Sequence, residues 1–233
     1  MSEASEKIAG LEHLPILPLP LVLMPYELLP LHIFEPRYRQ MLKDIELRRN
    51  LFGVNFFEQQ SDFEERPKAG TVGCVAEVRQ SQTLPDERSN IVTFGLIRYR
   101  LRDYVEVGTP YFSAEVDFFE DEPESTDVLE PISDDVFFLF ERVAKAAFRL
   151  SGNRGRFPEV PKAHAEQLSF MVAAAFNLDN EVKTQFIEMT STSERLKRLK
   201  SILEQAVEQM ESNAEIVSVA QKNGHSKKPI KLD

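Results

Sequence analysis

The chain has 233 residues, of which 42% are hydrophobic and 28% charged, a composition that supports a globular core. Its formal net charge of -10 opposes a broad electrostatic grip on nucleic-acid phosphates. A single cysteine excludes an internal disulfide and a cysteine-built zinc site and fits a reducing compartment, and no apolar run reaches the roughly 18 residues of a transmembrane helix.

Residues 1–11 open polar and acidic, unlike a secretory or arginine-rich transit segment, and read as a flexible N-terminus of a cytoplasmic protein. Leu14 to Pro20 and Val22 to Pro25 follow, and six of the 14 prolines lie between Pro15 and Pro36. Proline lacks an N–H and is barred from central strands, so this stretch predicts short edge strands joined by rigid turns. Pro36 suits the first position of a helix spanning Glu35 to Arg48, with Phe34, Tyr38, Met41, Leu42 and Ile45 as its buried face. Leu51 to Phe57 is a short apolar run. Val72, Cys74, Ala76 and Val78 alternate with Gly73, Val75, Glu77 and Arg79, the period of a strand, which makes Cys74 a small buried core residue. Pro85 to Asn90 supplies a loop. Asn90 to Val107 predicts two strands, or one bent near Gly95, and Tyr111 to Val116 another.

The composition then changes. Asp117 to Asp135 holds nine acidic residues and no basic one, which predicts a solvated linker at 121–131 between a β-rich unit, 12–120, and a helical one, 132–211. Val136, Phe140, Val143, Ala147 and Leu150 form a helical stripe stopped by Ser151 to Gly155. Pro161 opens a second helix, Asp179 or Asn180 caps a third ending near Met189, and Ser191 with Glu194 fits a capping box for the fourth. Leu196, Leu199, Leu203, Ala206 and Met210 give that helix a bundle-packing face. Residues 212–233 turn polar and lysine-bearing and predict a disordered tail.

No catalytic or metal constellation stands out. The histidines at 13, 32, 164 and 225 lack metal spacing; His32 reads as closing a hydrogen bond at a strand-to-helix turn, and His164 as a solvated position. No Gly-x-x-x-x-Gly-Lys-Ser/Thr run exists to cradle a nucleotide phosphate, so no cofactor is expected. Glu35 reads as favouring the positive end of its helix. Arg98, Arg100 and Arg102 alternate along one strand face, which solvent or ion pairs with the acidic segment explain.

Four blocks carry a family resemblance: the proline segment through Leu29-Pro30-Leu31-His32-Ile33-Phe34-Glu35-Pro36-Arg37-Tyr38-Arg39; Val72 to Val78 with Leu84-Pro85-Asp86; Asn90 to Arg100 with its Gly95-x-x-Arg98-Tyr99; and Tyr111 to Val116. In this order and spacing they resemble the Lon N-terminal domain, the substrate-recognition part of Lon proteases, over about residues 12–210. The family often has glycine where this chain has Tyr26 and Glu87, which puts two loop geometries in question. The resemblance implies an α+β fold: a PUA-like β pseudobarrel with one helix, then a C-terminal helical bundle. It implies a non-catalytic module that binds unfolded or degron-like polypeptide segments, an adaptor in protein quality control with a protease or similar partner, and no membrane. Such a site needs exposed apolar side chains on a β edge or in the groove between the halves; the loop-proximal aromatics Tyr26, Phe56, Phe57 and Phe63 are the candidates. Because PUA-like folds also serve RNA, the alternative is an RNA surface at Arg98, Arg100 and Arg102.

Overall fold

The computed structural model describes residues 3–59, 66–150, 157–158 and 161–223. In chain order the elements are α1 (Glu3–Ile8), β1 (Leu14–Leu19), β2 (Leu28–Ile33), α2 (Pro36–Glu46), β3 (Leu51–Phe56), β4 (Val72–Thr83), β5 (Ser89–Val105), β6 (Phe112–Phe119), α3 (Thr126–Leu150), α4 (Ala165–Ala175), α5 (Asn180–Glu188) and α6 (Thr192–Asn223). The fold is α+β, with one mixed sheet ordered β2-β5-β4-β3-β1-β6. β6 also pairs with β5, so the run of pairings closes on itself and β2 is added outside. β1 and β3 are parallel and the other pairs antiparallel; α2 lies in the crossover that a parallel pair requires.

Four expectations need correction here. β1 is not an edge strand: it pairs β3 through Ile16 to Leu19 and β6 through Leu14 to Ile16. The two partners overlap only at Ile16, so Pro15 and Pro18 each keep one unpaired side, which makes both prolines tolerable. Residues 12–120 and the helices do not have separate cores. One apolar cluster runs from Leu23, Met24, Met41 and Cys74 to Val136, Phe170, Leu196 and Leu203. The N-terminus is anchored rather than loose: Ile8 is buried in a second cluster with Leu14, Val75 and Tyr99, and Arg49 Nη1 donates to the carbonyls of Lys7 and Ala9 at 2.9 and 2.6 Å. Finally, α6 continues to Asn223, past the start of the predicted tail, because extending an existing helix adds a hydrogen bond for every residue ordered. Residues 224–233 and the whole Ser151 to Gly155 stop lie outside the described residues.

β5 is one strand, and Gly95 is where it changes neighbours. β2 covers Ser89 to Phe94, and β6 covers Arg98 to Val105. At Gly95 the loop after β1 presses on the strand: the Tyr26 N–H donates to Gly95 O at 2.8 Å and the Gly95 N–H to Glu27 O at 2.9 Å. A Cβ at Gly95 would lie 2.1 Å from Met24 O. In α2, Tyr38, Met41 and Ile45 are buried as their spacing requires, but Phe34 is 58% exposed because it precedes the helix and escapes its period.

Among the helices, α3 packs on α6, α4 packs on both, and α5 touches α4 and β4. Val136 and Val143 are buried while Ala147 is exposed. α4 starts at Ala165 with His164 at its N-cap, four residues later than Pro161 suggests. α5 is preceded by Asp179. The Ser191 hydroxyl accepts from the Glu194 N–H at 3.2 Å, the expected half of a capping box. The other partner of this helix start is Glu124, whose Oε1 accepts from Ser191 Oγ and the Ser193 N–H, both at 3.0 Å. The acidic segment is therefore built into the helix it precedes in space, and its solvated part is shorter than predicted, since α3 already begins at Thr126 with Pro131 inside it.

Candidate binding groove and the buried charge cluster beside it

The loop between β1 and β2 places Tyr26 in the left-handed region, φ 66°, which bulky L-residues rarely occupy. Glu87, φ 62°, does the same in the β4–β5 turn. These are the two positions where the resemblance left the loop geometry in question, and at both the chain carries a side chain on a left-handed backbone. At Glu87 the gain is an ion pair with Arg39. At Tyr26 it is a ring set edge-on to Phe94, centroids 6.3 Å apart.

Tyr26 and Phe94 line a cavity of about 150 Å³ with Pro25, Leu96, Ile97 and Phe119; Glu3, Arg79, Arg98, Glu120 and Glu166 also border it. The cavity opens where the sheet meets α4. Cross-strand register carries its surface outward. Leu28, Phe94 and Glu77 lie opposite one another, then Pro30, Val92 and Gln80, then His32, Asn90 and Gln82. Alternation puts these rows on one face. The His32 Nδ1–H donates to Asn90 Oδ1 at 2.7 Å across that face, so His32 makes a cross-strand bond and not a turn bond. A second depression of about 510 Å³ includes Pro30, His32, Gln80, Gln82, Asn90 and Val92. From Leu28 to His32 the track is about 14 Å long at ~3.4 Å per residue. Leu28, 63% exposed, lies opposite Phe94 at the inner end of this track. The outer edge of β2 is open but carries Pro30, which cannot donate to an added strand.

Behind the cavity is a charge cluster of which the sequence foretold one part, an ion pair between the arginine strand and the acidic segment, but not its burial or its second guanidinium. Asp121, its side chain 4% exposed, pairs with Arg98 at 2.5 Å and with Arg195, whose side chains are 2% and 0% exposed. Asp121 also accepts from Thr192 Oγ1. The guanidiniums spend their remaining donors on α4 and on the end of α5: Arg98 Nη1 to Ile187 O at 3.2 Å, Arg195 Nε to Ser169 Oγ at 2.7 Å and Nη1 to Met189 O at 3.0 Å. Phe119 lies 4.5 Å from the Arg98 guanidinium and Phe170 3.8 Å from that of Arg195. Burial, only partly offset by Asp121, lowers the Arg98 pKa from its usual value. This cluster bolts β5, the β6–α3 linker, α4, α5 and α6 together and fixes the cavity walls.

The other predicted residues fall elsewhere. Phe56 is half-buried and packs on the shared core, and Phe57 is half-buried with its N–H on Leu19 O at 2.8 Å; neither borders the cavity. Phe63 lies outside the described residues. The arginine face does not form: Arg98 is buried, Arg100 donates to Gly70 O at 2.9 Å, and Arg102 pairs with Asp117 at 3.5 Å. Two of the three charges are thus paired within the chain and one of those is buried, and RNA binding is not favoured. Phe94, Phe119, Leu28 and Glu166 were missed because each sits in an ordinary strand or helix pattern; the glycine-to-tyrosine departure at 26 was the one signal available. Cys74 is fully buried, and burial drives its thiol pKa upward.

Residues 13–205 match the family model described as the ATP-dependent protease La (LON) substrate-binding domain, and the chain belongs to that family. Lon protease 2 of Herpetosiphon aurantiacus is 26% identical over 151 residues, covering 65% of this chain and 18% of that protein. Lon protease of Dictyoglomus thermophilum is 27% identical over 212 residues, 86% of this chain and 25% of that protein. The chain thus spans a quarter or less of the length of these relatives. Among solved structures, a Lon N-terminal domain protein from Xanthomonas campestris superposes with a TM-score of 0.59 at 22% identity, covering 81% of this chain and 97% of that one. The N-terminal domain of Mycobacterium avium complex Lon protease does so with 0.61 at 14%, covering 83% and 98%. At these identities the two structures speak for the fold alone.

Proposed function

We propose that the chain is a non-catalytic polypeptide-recognition module, acting in protein quality control, that holds unfolded segments along the β2–β5–β4 face with an anchor side chain in the Tyr26 cavity. The observation that carries this is the left-handed backbone at Tyr26: strain of that kind persists where a side chain's position is needed, and here it aims an aromatic ring into the cavity mouth. The family's substrate-binding description supports the general role. The closed ring of strands supports reading the β-rich part as a PUA-like pseudobarrel, and the packing of α3, α4 and α6 supports a bundle. Handing clients to a protease, as an adaptor in a reducing cytoplasm, follows from the same reading. Among the described residues no helix is long and apolar enough to cross a membrane.

Apolar burial drives such contacts, at roughly 25 cal/mol per Å² before ordering costs are subtracted, so affinity should be modest. The test is anisotropy of a labelled, permanently unfolded protein against its folded form, without nucleotide. The unfolded form should bind better. Tyr26→Gly should weaken that binding at a cost of about 1–2 kcal/mol in folding stability, because the ring also packs on the core and on Phe94 while glycine accepts the left-handed backbone freely. Equal indifference to folded and unfolded forms would refute the reading.

A further inference from the structure

The cavity beside Tyr26 is too small for a free organic ligand, whose pockets run to roughly 300 Å³ or more, and suits one extended side chain. Its lining includes the aromatic rings of Tyr26, Phe94 and Phe119 and the carboxylates of Glu3, Glu120 and Glu166. Aromatic faces and carboxylates together are the chemistry that recognises a cation on an apolar stem. Two guanidiniums also border it, each over one face of a ring, Arg79 5.1 Å from Phe94 and Arg98 4.5 Å from Phe119, and both are matched by carboxylates: Arg98 by Asp121 at 2.5 Å and Arg79 by Glu77 at 2.7 Å. Glu3 is matched by Lys7 at 3.0 Å. Glu166 differs, because its carboxylate has no hydrogen-bond or ion-pair partner among the described residues.

We infer that this cavity selects a lysine or arginine side chain of the bound polypeptide, its stem against Tyr26, Phe94 and Phe119 and its charge toward Glu166. The inference rests on the polypeptide reading above and narrows it to basic unfolded segments. Two further observations agree. The Glu166 carboxyl is held above its ordinary value, by burial first and then by Asp121, although Arg195 and Arg98 pull the other way. The Tyr26 phenol is pushed up to about 12, by burial first and then by Glu166, Glu120 and Asp121, with Arg195 pulling the other way. The net charge of -10 adds long-range attraction for basic segments.

The test uses four labelled, unstructured peptides that differ at one central position: arginine, lysine, norleucine or glutamate. With the full chain at low salt, the arginine and lysine peptides should bind about tenfold tighter than the norleucine peptide, and the glutamate peptide weakest. Glu166→Gln should shrink the arginine-to-norleucine ratio to about twofold or less. Rising salt should narrow the same ratio in the unaltered protein, a readout that needs no variant to fold. Equal binding of arginine and norleucine peptides, or a ratio that Glu166→Gln and salt both leave intact, overturns the inference and spares the polypeptide reading. Absence of binding by all four overturns both.

Discussion

Removing Asp121 should be among the most damaging single changes this fold can suffer. The carboxylate is 4% exposed and is the anion shared by two guanidiniums exposed by 2% and 0%. Asp121→Ala leaves Arg98 and Arg195 buried with no counter-ion in the cluster, held by the Ile187 and Met189 carbonyls, the Ser169 and Thr192 hydroxyls and two aromatic faces. Breaking a buried pair by deleting one partner costs about 3–5 kcal/mol. Against a total stability of roughly 5–15 kcal/mol, that is a large share, and it lowers Tm by roughly 6–20 °C for a chain of this size. Urea unfolding followed by circular dichroism measures it. Arg102→Ala is the internal control: its pair with Asp117 is 3.5 Å long and about 60% exposed on both sides, so its loss should cost no more than about 0.5 kcal/mol. Replacing Arg98, Asp121 and Arg195 together by Met, Leu and Met should recover most of the loss, because the cost lies in the orphaned charges. A loss below about 1 kcal/mol for Asp121→Ala, or a triple variant worse than the single one, would refute the reasoning.

Gly95→Ala should destabilise by about 2 kcal/mol or more in the same assay, because the new Cβ meets the Met24 carbonyl at 2.1 Å and backbone must move. Cys74 should react with a thiol reagent far more slowly in native protein than in denaturant, since the side chain is fully buried and its thiolate disfavoured. Burial raises the Glu27 carboxyl above its ordinary value, against the opposing Met24 N–H bond and Lys183. Its stability contribution is therefore complete below the unfolded pKa and lost as pH rises through the folded one. Glu27→Gln should gain stability relative to the parent between about pH 4 and pH 7, and unfolding curves at the two pH values check the sign.

Much of the local structure was legible because a face turned to the core repeats with its element's period. Tyr38, Met41 and Ile45 on α2, Leu196, Leu199 and Leu203 on α6, and the alternation around Cys74 all record which side meets water, and Ser191 records where a helix begins. Proline excludes a strand only from hydrogen bonds its N–H would have made, so Pro15 and Pro18 could not reveal that β1 has partners on both sides at staggered positions. The acidic run read as solvent-facing, since charge belongs in water unless a counter-charge is buried with it. Asp121 finds those counter-charges 23 and 74 residues away, at distances along the chain where no sequence period operates. The cavity likewise draws on residues 26, 94, 119 and 166, each unremarkable in its own element. The sequence determined the elements, their buried faces and the family; only tertiary packing decided which charges were buried and which aromatic rings met, because those depend on partners brought together by the whole fold.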